Sequence, residues 1–237
     1  LAEVVSVTAE KQLKSERMKT ELITNVSHDI KTPLTSIINY VDLLRRTDDE
    51  AERAEYLAIL DNQSQRLKKL IEDLMEMSRA SSGNVAVEIT PTDVGEALHQ
   101  ALGEFADRLE QRGLTVMTKI PAEPVMAQCD GRHLWRVLSN CLSNVVKYAM
   151  PGTRVYVDLE RRAGAAEISL KNISAQTLNI SSDELMERFV RGDASRNTEG
   201  NGLGLNIAKS LMEVQGGKLD LVVDGDLFKV ILTLNAE

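Results

Sequence analysis

Apolar residues recur at steps of four and three through Met18, Leu22, Val26, Ile30, Leu34, Ile37, Val41 and Leu44. Such steps mark one face of an α-helix. Residues 1–46 hold no glycine and a single proline, so the spacing predicts one long helix across them. The polar run Arg46 to Glu50 reads as a turn with an N-cap for a second helix over about 50–79. There Leu57, Leu60, Leu67, Ile71 and Leu74 form a seam, with Ser64 and Ser78 in register. Two long helices with a short connection make an antiparallel hairpin. A lone hairpin buries too little, so a homodimer is expected, two hairpins closing a four-helix bundle.

The periodicity breaks at Ala80 to Asn84 and stays broken to Pro91. That break divides the chain into a hairpin over 1–80, a linker over 81–92 and a second domain over 93–237. Val85, Val87 and Ile89 alternate as a short edge strand would. Beyond them the pattern is mixed α and β. Helices are predicted over about 93–112, capped by Thr92-Asp93, over 131–148, capped by Asp130, and over 203–215, closed by Gly216-Gly217. Strands are predicted over 114–120, 125–128, 154–161, 167–171, 218–224 and 227–234, with turns at Ala163-Gly164 and Asp224-Gly225. Residues 173–202 form a long polar segment of the kind that serves as a lid or binding loop.

Composition narrows the field. The net charge of −8 disfavours general nucleic-acid binding, which needs clustered positive charge. Aromatic residues make up 3% of the chain, so the core must be aliphatic. Cys129 and Cys141 lack metal-ligand spacing and read as reduced, buried residues of a cytoplasmic setting. No apolar run is long enough for a membrane span. The chain starts with Leu, inside a helical pattern, and so reads as a piece of a longer protein.

Four stretches carry candidate chemistry. In Ser27 to Leu34, His28 lies off the apolar stripe with Asp29 beside it and Thr32 one turn on. Pro33 removes a backbone donor there and should bend the helix. In Asn140 to Tyr148, Asn140, Asn144 and Lys147 share a helix face. Two amide oxygens and an ammonium suit a hydrated Mg²⁺ with phosphates, although a solvated polar face would look the same. Gly200-Asn-Gly202-Leu203-Gly204 opens a helix, where backbone N–H groups and the helix dipole favour anions. In the presumed lid, Phe189 could act as a pin, and Arg188, Arg191 and Arg196 could reach phosphate.

In this order the stretches resemble the motif boxes of sensor histidine kinases of two-component systems. SHDIKTPLT resembles the H box, NCLSNVVKY the N box, ERFVRGDASR the F box and GNGLGLNIAKSL the G2 box. The resemblance implies an α + α/β architecture, a dimerisation and phosphotransfer hairpin followed by a sandwich ATP-binding domain of the Bergerat fold. It implies that His28 accepts phosphate from ATP, that Asp29 orients its ring, and that Thr32 helps dephosphorylate the partner response regulator. Asn144 would hold Mg²⁺, Asn140 and Lys147 would lie near phosphates, Gly200, Gly202, Leu203, Gly204 and Arg191 along the phosphate path, and Tyr148 near the nucleotide. The implied protein is the cytoplasmic part of a membrane sensor whose upstream transmembrane region is absent here.

One motif departs. The family usually has Asp-x-Gly-x-Gly after the strand ending near 171, where the Asp accepts the adenine amino hydrogen. Here Asn172 takes the place of the Asp, the following residues are Ile173, Ser174 and Ala175, and neither glycine is present. Val145 stands where Ala is usual. An amide oxygen accepts the same hydrogen bond, but without charge. The departure keeps an alternative open, a non-catalytic dimeric scaffold with a degenerate nucleotide site. An ATPase of the same fold without histidine transfer is disfavoured by the H box.

Overall fold

The structure is a computed structural model; it describes residues 27, 29–81, 86–162, 164–178 and 204–236. A first helix, α1, covers residues 29–46 and runs unbroken through Pro33. It gives way to a three-residue turn, where the Asp49 carboxylate accepts from Ala51 N–H at 2.8 Å and caps α2 (Glu50–Ser81). The Tyr40 and Tyr56 rings meet across the hairpin with centroids 5.6 Å apart, confirming the antiparallel arrangement. Leu34, Val41, Leu57 and Ile71 of the expected seams are exposed in the single chain. By contrast Leu70, which the seam omits, is wholly buried.

The second domain is an α/β sandwich. In chain order it comprises β1 (Thr90–Asp93), α3 (Val94–Gln111), β2 (Thr115–Lys119), β3 (Met126–Cys129) and α4 (Gly131–Tyr148). Then follow β4 (Arg154–Arg162), β5 (Ala165–Ile173), α5 (Gly204–Val214), β6 (Lys218–Asp224) and β7 (Leu227–Asn235). The main sheet has the order β2-β4-β5-β7-β6, and β1 pairs with β3 apart from it. Only β2 and β4 run parallel; the other pairings are antiparallel. The short strand expected around Val85 to Ile89 is not formed among the described residues. Pairing starts at Thr90, opposite Cys129.

Alternation along the strands sends one face of the sheet to the helices. Val155, Val157 and Leu159 of β4 face inward, as do Ala166, Ile168 and Leu170 of β5 and Val230, Leu232 and Leu234 of β7. The helices return Leu98, Phe105 and Leu109 from α3, Leu134, Leu138 and Leu142 from α4, and Ile207, Leu211 and Met212 from α5. This is the aliphatic core that the composition requires. Cys129 and Cys141 are free thiols within it, and burial pushes Cys141 up to about 12. Gly216, at φ 76°, caps α5. A Cβ on Gly217 would lie 2.8 Å from the Thr233 carbonyl, so no larger residue fits between helix and sheet.

Asp130 ties three segments at the start of α4. Its carboxylate accepts from Arg132 and His133 N–H as N-cap, and from Glu88 N–H of the chain entering the domain at 3.0 Å. Its own N–H donates to Gln215 Oε1 at the end of α5. Burial alone would raise this carboxyl. The hydrogen bonds from Glu88, Arg132 and His133, with the charge of His133, outweigh it and hold the group near 2. The depressed value means stability is full above the ordinary carboxylate range near 4 and is lost as pH falls toward 2. Asp130→Asn should cost about 2 kcal/mol at neutral pH and flatten that acid limb, as read from denaturant unfolding between pH 2 and 7.

Candidate functional site

α4 and α5 pack antiparallel. The start of α4 meets the end of α5 through Asp130 and Gln215, and Asn140 lies against Gly204 at the start of α5. A Cβ built on Gly204 would stand 3.6 Å from Asn140 Oδ1. Two of the sequence-predicted stretches therefore meet. The last two turns of α4, carrying Asn144, Lys147 and Tyr148, run on past Gly204.

The third predicted element joins them from the sheet. Tyr148 C=O accepts from Ala175 N–H and Ile173 C=O accepts from Met150 N–H, both at 2.8 Å. These bonds lash the end of α4 to the end of β5, where Asn172 sits. Asn172 occupies an inward position of β5, opposite Phe228, in a row otherwise apolar. It is 3% exposed. Its Nδ2 donates to Ile173 C=O at 3.2 Å, which fixes the amide orientation, and its Oδ1 has no partner.

A buried acceptor without a donor is costly, about 1–3 kcal/mol, and asks for a reason. An adenine amino group would supply the missing hydrogen. Asn140 Nδ2 is likewise buried and unpartnered, as is Asn206 Nδ2 on the first turn of α5. Asn206 was not singled out by the sequence reading, because an asparagine two residues into a helix reads as surface. The donor set therefore fits a nucleotide: an acceptor at the sheet end, amides on α4 and a helix start pointed at the gap between. Among the described residues no group of three or more His, Cys, Asp or Glu could hold a metal. A Mg²⁺ at Asn144 would draw most of its oxygens from phosphates and water.

Of the expected hairpin residues, Asp29 is half-buried, Thr32 is exposed and Pro33 is buried on α1. His28 lies outside the described residues, as do Arg191, Gly200, Gly202, Leu203 and the rest of the presumed lid beyond Leu178.

Comparison with known proteins matches two family models to the chain. The family described as "His Kinase A (phospho-acceptor) domain" matches residues 18–83. The family described as "Histidine kinase-, DNA gyrase B-, and HSP90-like ATPase" matches residues 129–236. Sensor protein VanSC of Enterococcus gallinarum is 31% identical over 210 residues, covering 87% of this chain and 58% of the relative. The chain thus spans little more than half the length of that relative. Among solved structures, a histidine kinase ThkA in complex with response regulator protein TrrA superposes with a TM-score of 0.74 at 18% identity, over 97% of this chain and 66% of that one. Full-length ShkA in complex with AMPPNP gives 0.67 at 20% identity, over 93% and 46%. At these identities the two structures establish a shared fold.

Asn172→Leu separates site from scaffold. It removes an unpartnered buried oxygen, and Ile173 C=O keeps its bond from Met150 N–H. The melting temperature should hold or rise, while affinity for adenine nucleotides, measured by calorimetry, falls about tenfold.

Proposed function

Because the chain belongs to the sensor histidine kinases of two-component signalling, we propose that it uses Mg-ATP to phosphorylate His28 and passes the phosphoryl group to an aspartate of a response regulator. The observation that carries the reading is the Asn172 carboxamide, buried with its oxygen unpartnered at the seam of sheet and helix. The missing charge at this position weakens adenine recognition without abolishing it, since the acceptor is still present.

In this reading a neutral His28 ring nitrogen attacks the γ-phosphorus. A P–N bond forms, the bond from phosphorus to the β-γ bridging oxygen breaks, and ADP leaves with its electron pair. Asp29 accepts a hydrogen bond from the other ring N–H, orients the imidazole and stabilises the positive charge that develops. Asn140 and Lys147 would hold the phosphates, and the motif resemblance assigns Arg191 and the glycine stretch to the same phosphates. Asn144 would hold Mg²⁺, whose charge would offset that of the phosphates. Thr32, one turn from His28, serves the reverse reaction by placing water against the phosphorylated regulator.

The hairpin is the dimerisation element. Leu34, Ile38, Val41, Leu57, Ile71 and Met75 are exposed large apolar side chains on α1 and α2, and a second hairpin would cover them. We read the parent protein as a membrane-bound sensor. No helix among the described residues is long and apolar enough to cross a membrane.

Incubation with Mg-ATP should label the protein with phosphate that is acid-labile and base-stable. His28→Gln should remove the label while leaving ATP binding intact. A folded dimer that takes no label would sink the reading. Leu57→Glu with Ile71→Glu should yield monomers by light scattering, since two charges cannot be buried in an apolar seam.

A further inference from the structure

On α2, Leu70 is wholly buried and Asp73 is 7% exposed, although neither lies on the apolar seam. They stand one turn apart and mark a second face of the helix. The ATP-binding domain rests on that face. Ile30 and Leu74 pack against its core, and Arg136 of α4 reaches across to two carboxylates. Arg136 Nη2 lies 2.6 Å from Asp73 Oδ1, and Nε lies 2.9 Å from Glu76 Oε2.

Three features set this apart from an ordinary surface ion pair. It is shielded, with the Arg136 side chain 22% exposed and that of Asp73 10%. It is directional, because a planar guanidinium held through two of its nitrogens, Nη2 and Nε, by two separate carboxylates fixes rotation as well as distance. It is also placed with the nucleotide residues, since Arg136 precedes Asn140 by one turn on the same side of α4. The Tyr40–Tyr56 contact sets the hairpin register, which brings Asp29 level with residue 67 or so of α2. Asp73 then lies about 9 Å further along the bundle.

We propose that Arg136 is a positioning residue for phosphoryl transfer: by gripping Asp73 and Glu76 it fixes the height and rotation at which the nucleotide-binding face of α4 meets the phosphoacceptor segment. The inference rests on the kinase reading above. Burial raises the Asp73 carboxyl above its ordinary range despite the neighbouring Arg136, so desolvation consumes much of the attraction. Such a pair adds little to the strength of docking and much to its register. Without it, Leu74 and Ile30 still give an apolar contact, but one that can slide. Transfer is sensitive to displacements of about 1 Å at the reacting atoms.

The test is autophosphorylation of the whole chain at saturating Mg-ATP, with nucleotide affinity measured separately by calorimetry. Arg136→Gln should lower the rate constant at least tenfold with Kd for ATP changed less than twofold. Exchanging the charges in Arg136→Glu with Asp73→Arg again sets a cation between two carboxylates and should recover a third or more of the wild-type rate. Glu76→Gln, at a more exposed site, keeps the fold intact and should lower the rate about threefold, also at constant ATP affinity. If Glu76→Gln and Arg136→Gln label at the wild-type rate, or if their losses follow ATP affinity or melting temperature, the inference is overturned and the kinase reading stands. If the wild-type chain takes no label, the kinase reading fails, and this inference with it.

Discussion

The burial of one face of α4 constrains everything else. Leu134, Val137, Leu138, Cys141, Leu142 and Val145 are all removed from water between the sheet and α5. Rotating the helix would expose several of them, at roughly 1.5–3 kcal/mol for each large side chain. The helix therefore has a single allowed rotation. That rotation directs Asn140 toward Gly204 and turns Arg136 toward α2. A hydrophobic constraint with no chemistry of its own thus aims the polar groups that do have it.

The two ends of α4 are pinned differently. At the start, Asp130 collects donors from its own helix and from the entering chain, and its backbone holds Gln215. These bonds are internal, although His133 Nδ1 beside them has no hydrogen-bond partner. At the far end backbone bonds to residues 173 and 175 hold the helix, the Arg112 guanidinium donates to the Val146 and Lys147 carbonyls, and the side chains nearby include the unpartnered Asn172 oxygen. Folding thus leaves buried polar atoms unmatched at both ends of α4, His133 Nδ1 near the start and the Asn172 oxygen beside the far end, and the second of these is the one a nucleotide would use. The unmatched amides of Asn140 and Asn206 belong to the same accounting.

The hairpin carries two duties. Leu34, Val41, Leu57 and Ile71 of its apolar seams remain exposed in the single chain, whereas Ile30, Leu74 and Asp73 meet the second domain. A buried ion pair between the domains favours one docked arrangement over others near it, more than it favours docking itself. Under the kinase reading proposed above, the domains would have to meet in a defined geometry and still part, and an interface with a charged key suits both needs.

Local spacing alone determined much of this protein. Asp93 and Asp130 announced their helices and Gly216-Gly217 the end of α5, and the pattern gave β4, β6 and β7 to within a residue, while β5, expected over 167–171, extends two residues further at each end. Those signals are legible because capping and amphipathic burial act within a turn or two of chain. Sequence also set the order of the four motif stretches. Only the tertiary structure decided that Asn140 would touch the start of α5, that Asn172 would face inward beside Phe228, and that Leu70 and Asp73 would form a second face with Arg136. The strand expected near Val85 failed for the same reason. Pairing depends on a distant partner, and β3 offered its edge to Thr90–Asp93 instead. Contacts between residues 60 or more positions apart leave no mark on the local pattern, since any exposed Arg and Asp would read alike until the fold brings them together.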